Sequence, residues 1–145
     1  MAAMVKLSYK EQVQRMREDA IVEAVNRLLA AKGYDAMTVD EVAAEAGIAK
    51  ASVYKHFASK EDLAAAAMVR ALDRAMTFVD ALREDTKAQP FEQLKAVAGW
   101  AISSQLANEM PLLPSQNSSL TNALQAHEAY MDRLISLRNK LSTWI

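Results

Sequence analysis

Between Gly47 and Lys60 the chain carries Lys50, Lys55 and Lys60, interleaved with Ser52, Tyr54 and His56, and no acidic residue. Cations mixed with hydroxyl, phenol and imidazole groups suit phosphate oxygens and base edges. Other chemistry has little foothold. The chain has two histidines and no cysteine, no clustered carboxylates, no nucleophile constellation and no phosphate-binding glycine loop. Catalytic residues, a cofactor and a metal site are therefore not expected, and an enzyme is the least favoured class. His56 in particular reads as a phosphate or capping contact rather than a catalytic base. Three lysines in so short a run are by themselves only a solvated surface, so the elements that present them must carry the argument.

Those elements are helical. The 145 residues hold 28 Ala against 3 Gly and 3 Pro, and alanine favours helices and disfavours strands. Ser8 with Glu11 opens helix 1, whose apolar stripe runs through Val13, Met16, Ala20, Ala24 and Leu28 to a stop at Lys32-Gly33. Thr38 with Glu41 opens helix 2, which ends at Gly47. Helix 3 spans roughly Lys50 to Phe57, and helix 4 begins after Ser59, with Asp62 as the partner of that cap, and runs to about Leu82. Helix 5 opens near Pro90 and stops before Pro111, and a loop covers Pro111–Ser119. A single helix 6 takes Leu120, Leu124, His127, Met131, Leu134, Leu137 and Leu141 to the end.

The turn between helices 2 and 3 is the informative one. Ala43 lies four residues before Gly47, among Val42, Ala46, Ile48 and Val53. A small residue lets a second helix cross closely, glycine permits the positive φ of a tight turn, and apolar residues hold the crossing. A helix-turn-helix needs this arrangement, and it projects the exposed face of its second helix toward a DNA major groove. Val53, Phe57 and Leu63 read as core, Tyr34 as packing below the end of helix 1, and Tyr54 as a packed ring whose hydroxyl reaches a phosphate.

Bulk charge argues the other way, with 17 Lys+Arg against 18 Asp+Glu, where nucleic-acid-binding domains carry a basic excess. The charge is polarised, however. Residues 1–17 hold Lys6, Lys10, Arg15 and Arg17 against Glu11, and residues 61–145 hold 8 basic and 10 acidic side chains. Locally clustered charge is what a phosphate backbone responds to. With no secretory signal and no stretch of about 20 apolar residues, a soluble cytoplasmic protein without a membrane partner is expected.

The stretch Ile21–Leu63 resembles the N-terminal DNA-binding domain of the tetracycline-repressor (TetR) family of bacterial regulators. The likeness rests on Lys32-Gly33-Tyr34 before Thr38-Val39, on Ala43 and Gly47, and on Tyr54-Lys55-His56-Phe57-Ala58-Ser59-Lys60-Glu61-Asp62-Leu63. It implies an all-α fold: a three-helix helix-turn-helix domain over 8–60, with the motif at about 38–57, then a partial helical ligand-binding and dimerisation region over 61–145. It implies a one-component transcription regulator, usually a repressor. Such a regulator binds a palindromic double-stranded operator as a homodimer and leaves it when a small-molecule effector enters the second region. Carried over by position, Lys50, Ala51, Ser52, Tyr54, Lys55 and His56 lie on the recognition helix, and Thr38 and Lys60 touch phosphates.

Two features depart from the family pattern. Position 49, usually a capping Ser or Thr, is Ala49. The family also usually has several more helices after the sixth. A short regulatory region that dimerises through another face is expected, or alternatively a shortened interaction protein that pairs with a full-length relative and does not repress alone. Candidates for an effector pocket are Phe78, Trp100, Ser104, Gln105, His127, Tyr130 and Met131, apolar walls with a few polar groups. Trp100 and Met131 at helical spacing read equally as plain core.

Overall fold

The computed structural model describes residues 6–84, 89–107 and 119–143, and among them every regular element is a helix. In chain order these are α1 (Tyr9–Lys32), α2 (Val39–Ala46), α3 (Lys50–His56), α4 (Lys60–Glu84), α5 (Pro90–Leu106), α6 (Ser119–Gln125) and α7 (Glu128–Ser142). The expected loop from Pro111 to Ser118 lies outside the described residues, and Ser119 begins α6 instead of ending that loop.

Local chemistry sets the boundaries. The amide of Glu11 donates to Ser8 Oγ at 3.2 Å, that of Glu41 to Thr38 Oγ1 at 3.2 Å, and that of Asp62 to Ser59 Oγ at 3.1 Å. Each hydroxyl satisfies a donor that the first helical turn leaves without an intrahelical partner. Gly47 takes the left-handed conformation, φ 75° and ψ 29°. Ile48 N then donates to Ala43 O at 3.0 Å, closing α2 with the reversal that starts the turn into α3. Gly33 also has positive φ, but its ψ of 172° is extended, so the chain leaves α1 at once for the Tyr34 turn.

The last expected helix is two helices. His127 sits between α6 and α7 with φ −92° and ψ 109°, and its Nδ1 accepts the amide of Tyr130 at 3.3 Å. The imidazole serves as the N-cap of α7, so the apolar spacing continues through His127 while the backbone does not.

α4 is the wall against which α1, α5, α6 and α7 pack. Its buried residues are Leu63, Ala64, Ala65, Ala67, Met68, Ala71, Ala75 and Val79, and small side chains let neighbouring helix axes come close. One continuous core joins Ile21, Val25 and Leu29 of α1, Val42 of α2, Val53 of α3 and Leu63 and Met68 of α4 to Leu120, Leu124 and Tyr130. Burying each large aliphatic side chain contributes about 1.5–3 kcal/mol. Ion pairs join the helices at the rim: Arg70 of α4 with Asp19 of α1, Arg133 of α7 with Asp73 of α4 at 3.3 Å, and Arg27 of α1 with Glu45 of α2 at 2.9 Å.

α3 starts without a side-chain cap. Ala49 holds the extended N-cap conformation, φ −71° and ψ 145°, but makes no capping bond. Ala49→Ser should supply it and stabilise the fold by about 1 kcal/mol. A melting temperature a few degrees higher is the expected result, and an unchanged one would remove position 49 from the cap.

Candidate nucleic-acid interface

α3 is fixed from one side and open on the other. Val53 is fully buried, and Phe57 packs against the core at the helix end. On the outer side Lys50, Ala51, Tyr54 and Lys55 are exposed, and Ser52 is half-buried between the two faces. Tyr54 keeps 47% of its surface, so its ring is less packed than its sequence suggests. Lys50 Nζ lies 3.2 Å from Asp40 in the first turn of α2, with both side chains about half exposed or more. A pair so open to water is worth about 0–1 kcal/mol, so another anion can replace Asp40 at little cost.

His56 is different from its neighbours. Its side chain is only 8% exposed, and its Nδ1 lies 3.2 Å from Glu18 Oε1 on α1. The ring is turned inward and ties the end of α3 to α1. Thr38 is exposed at the start of α2, but its hydroxyl donates to Glu41 Oε1 at 3.0 Å while accepting the Glu41 amide. Lys32 also binds that carboxylate, and Lys32 and Thr38 together hold its pKa below the usual carboxylate range.

Lys60, in the first turn of α4, places its ammonium 4.3 Å from the centre of the Tyr34 ring. This contact between a cation and a π face fixes where the charge sits. Tyr34 is buried, and its hydroxyl donates to Glu61. Glu61 is held ionised by its own backbone amide first, then by Tyr34 and Ser59. Sequence reasoning placed Lys60 and Tyr34 separately. Nothing local links two residues on opposite sides of the helix-turn-helix.

The candidate pocket residues do not gather in one place. Phe78 and Trp100 stack with centroids 4.9 Å apart and planes at 12°, lining an open groove of about 490 Å³ with Arg74, Thr77 and Ala81. Ser104 is buried on α5 and Gln105 is exposed. His127 borders a separate groove of about 660 Å³ with Glu18, His56, Asp62 and Asp73. Tyr130 belongs to the core, and the partly buried Met131 packs against it. Among the described residues no group of three or more His, Cys, Asp or Glu could hold a metal ion, and no helix is long and apolar enough to cross a membrane.

Burial first, then the bond to Glu61, raises the Tyr34 pKa to about 12 from the usual 10. The folded state therefore holds this proton more tightly than the unfolded state. The resulting stability is present below pH 10 and is lost as pH rises from 10 to 12. A difference ultraviolet titration, wild type minus Tyr34→Phe, should give a midpoint near 12. A midpoint near 10 would mean that the ring is not enclosed as described.

Residues 21–67 match the family model of bacterial regulatory proteins of the tetR family. The HTH-type transcriptional regulator YerO of Bacillus subtilis is 35% identical over 74 residues, covering 51% of this chain and 26% of that protein. The HTH-type transcriptional regulator AlkX of Mycobacterium tuberculosis is 30% identical over 80 residues, covering 55% of this chain and 38% of that protein. Both alignments span well under two thirds of the relative. A crystal structure of a TetR-family transcriptional regulator from Agrobacterium tumefaciens superposes with a TM-score of 0.66 at 21% identity, over 90% of this chain and 67% of that one. At that identity the likeness concerns the fold. Over residues 21–67 the chain is thus similar to the tetR family of bacterial regulatory proteins, and its helical architecture is one that a solved structure of that family shares.

Proposed function

We propose that this chain is a DNA-binding transcriptional regulator that reads double-stranded DNA with α3. The observation that carries this is the two-sidedness of α3: Val53 anchors it in the core, while Lys50, Ala51, Tyr54 and Lys55 stand outward on a segment without acids. Lys50, Lys55 and Tyr54 meet phosphates and base edges in a major groove, with Ser52 and Ala51 close to the bases. Thr38 and Lys60 flank α3 at the starts of α2 and α4, where backbone amides can meet phosphate oxygens. His56 contributes by holding α3 on α1 through Glu18.

In the same proposal the chain acts as a repressor. Two copies bind a palindromic operator, and a small molecule bound among the helices of region 61–145 releases them. The groove beside Phe78 and Trp100 has the aromatic wall and the neighbouring polar groups that such a ligand needs. A second reading is favoured by one observation. Phe91, Ile102 and Leu106 of α5 are exposed to 60% or more, which suits pairing with another protein chain. In that reading the chain is an interaction protein that does not repress alone.

Selection from a random pool of DNA duplexes, followed by light scattering of the complex, separates the readings. A regulator enriches an inverted repeat whose half-sites lie about 34 Å apart and binds it as a dimer. A monomer with only weak, sequence-independent binding favours the interaction protein. On the selected duplex, Lys55→Ala should weaken binding about three- to tenfold and flatten the salt dependence by about one phosphate's worth per bound subunit. Lys95→Ala on α5 should leave fluorescence-anisotropy titrations unchanged. Equal losses from the two variants would overturn the placement of the DNA face.

A further inference from the structure

The first turns of α1 run alongside the outer end of α3 and form a groove with it. The groove holds about 420 Å³ and is bordered by Tyr9, Lys10, Val13, Gln14 and Arg17 of α1 and by Lys55 and His56 of α3. Lys10, Arg17 and Lys55 are exposed, and among the described residues none of the three has an acidic side chain within ion-pair distance. Lys32, Arg27, Arg70, Arg133 and Lys140, by contrast, are all paired. With about 100° of rotation per residue, Tyr9, Lys10, Val13, Gln14 and Arg17 share one face of α1, while Glu11 and Asp19 fall to other sides. Asp19 is bound by Arg70, and Glu18 by His56. The acids of this part of α1 are thus turned away or already engaged, and the cations are left over.

The lining fits one kind of occupant. The half-buried Val13 and the His56 ring line its inner part, the exposed Tyr9 ring forms an apolar wall, and the rim is cationic. A nucleic-acid backbone alternates apolar sugar faces with anionic phosphates. Lys10 and Arg17 are two helical turns and about 10 Å apart along the axis, whereas a DNA strand carries a phosphate every 3.4 Å of its axis. The two cations therefore address different phosphates.

The geometry points to a second DNA-contacting surface: the groove between α1 and α3 seats the sugar-phosphate backbone next to the segment α3 reads, with Lys10 and Arg17 each neutralising a phosphate. This rests on the proposed reading of α3 as the DNA-facing helix. The groove adds affinity and register but no sequence preference, because phosphates are alike in every sequence.

The test uses the full chain and the duplex enriched by selection. Lys10→Gln with Arg17→Gln keeps good helix formers at both exposed positions, and melting curves check that the fold is intact. The slope of log affinity against log salt should become shallower by about 2 per bound subunit. The advantage of wild type over this variant should then shrink by roughly an order of magnitude per subunit between 50 and 200 mM salt. The selected sequence should stay the same, and phosphate-ethylation interference should vanish at a small group of phosphates beside the Lys55 contact. Lys10→Arg with Arg17→Lys, which keeps both charges, should restore the wild-type slope. An unchanged slope in the glutamine variant, while Lys55→Ala still weakens binding, overturns the groove and leaves the reading of α3 standing. A changed sequence preference overturns it as well, since it would mean base contacts. If wild type enriches no duplex at all, the reading of α3 fails and the groove proposal fails with it.

Discussion

The structure depends on the narrow, buried face of α4. Leu63, Ala64, Ala67, Met68 and Ala71 are buried on α4, the helix against which α1, α5, α6 and α7 pack. A row of alanines broken by Leu and Met lets neighbouring helices approach closely, yet leaves enough apolar surface to hold them. The three helices that precede α4 and the helices that follow it thereby share one core, running from Ile21 to Tyr130. A larger residue in that row would push a neighbouring helix from α4 and disturb the core into which α3 inserts Val53, with Phe57 packed at its end.

That dependence explains how so short a helix can present a surface. α3 has seven residues and no side-chain cap, and a helix of that length is unstable alone. It is held by the Gly47 turn, by Val53 and by the inward-facing His56 on Glu18. These contacts occupy its inner face and its ends, so the outer residues need no role in folding. The ion pair made there, Lys50 with Asp40, is exposed and weak. Charges that contribute little to the fold can be committed elsewhere.

Much of this was legible in the residues. Ser8, Thr38 and Ser59 cap the helices that they were expected to open, and Gly47 adopts the left-handed turn. Their signals act over three or four residues, the range over which a hydroxyl reaches a free amide. The break at His127 was missed because apolar spacing does not register a change in backbone direction, and because imidazole is an uncommon cap. His56 was expected on the outer surface with Lys55, one residue away. Which way a side chain at the end of a short helix turns depends on what stands behind it.

By itself, the sequence determined that the chain is helical, where α1 to α4 begin and end, that a glycine turn joins two short helices, and that the second lies in a run of cations without acids. Only the tertiary structure decided which of those groups are outward. His56 meets Glu18 across 38 positions and Arg70 meets Asp19 across 51. Lys60 lies over the ring of Tyr34, and Lys10 and Arg17 arrive beside Lys55. The physical reason is range. Capping and periodicity act within a turn of helix, where neighbours in sequence are neighbours in space. The partners of a surface side chain are set by how whole helices cross, and that crossing is decided by packing across α4.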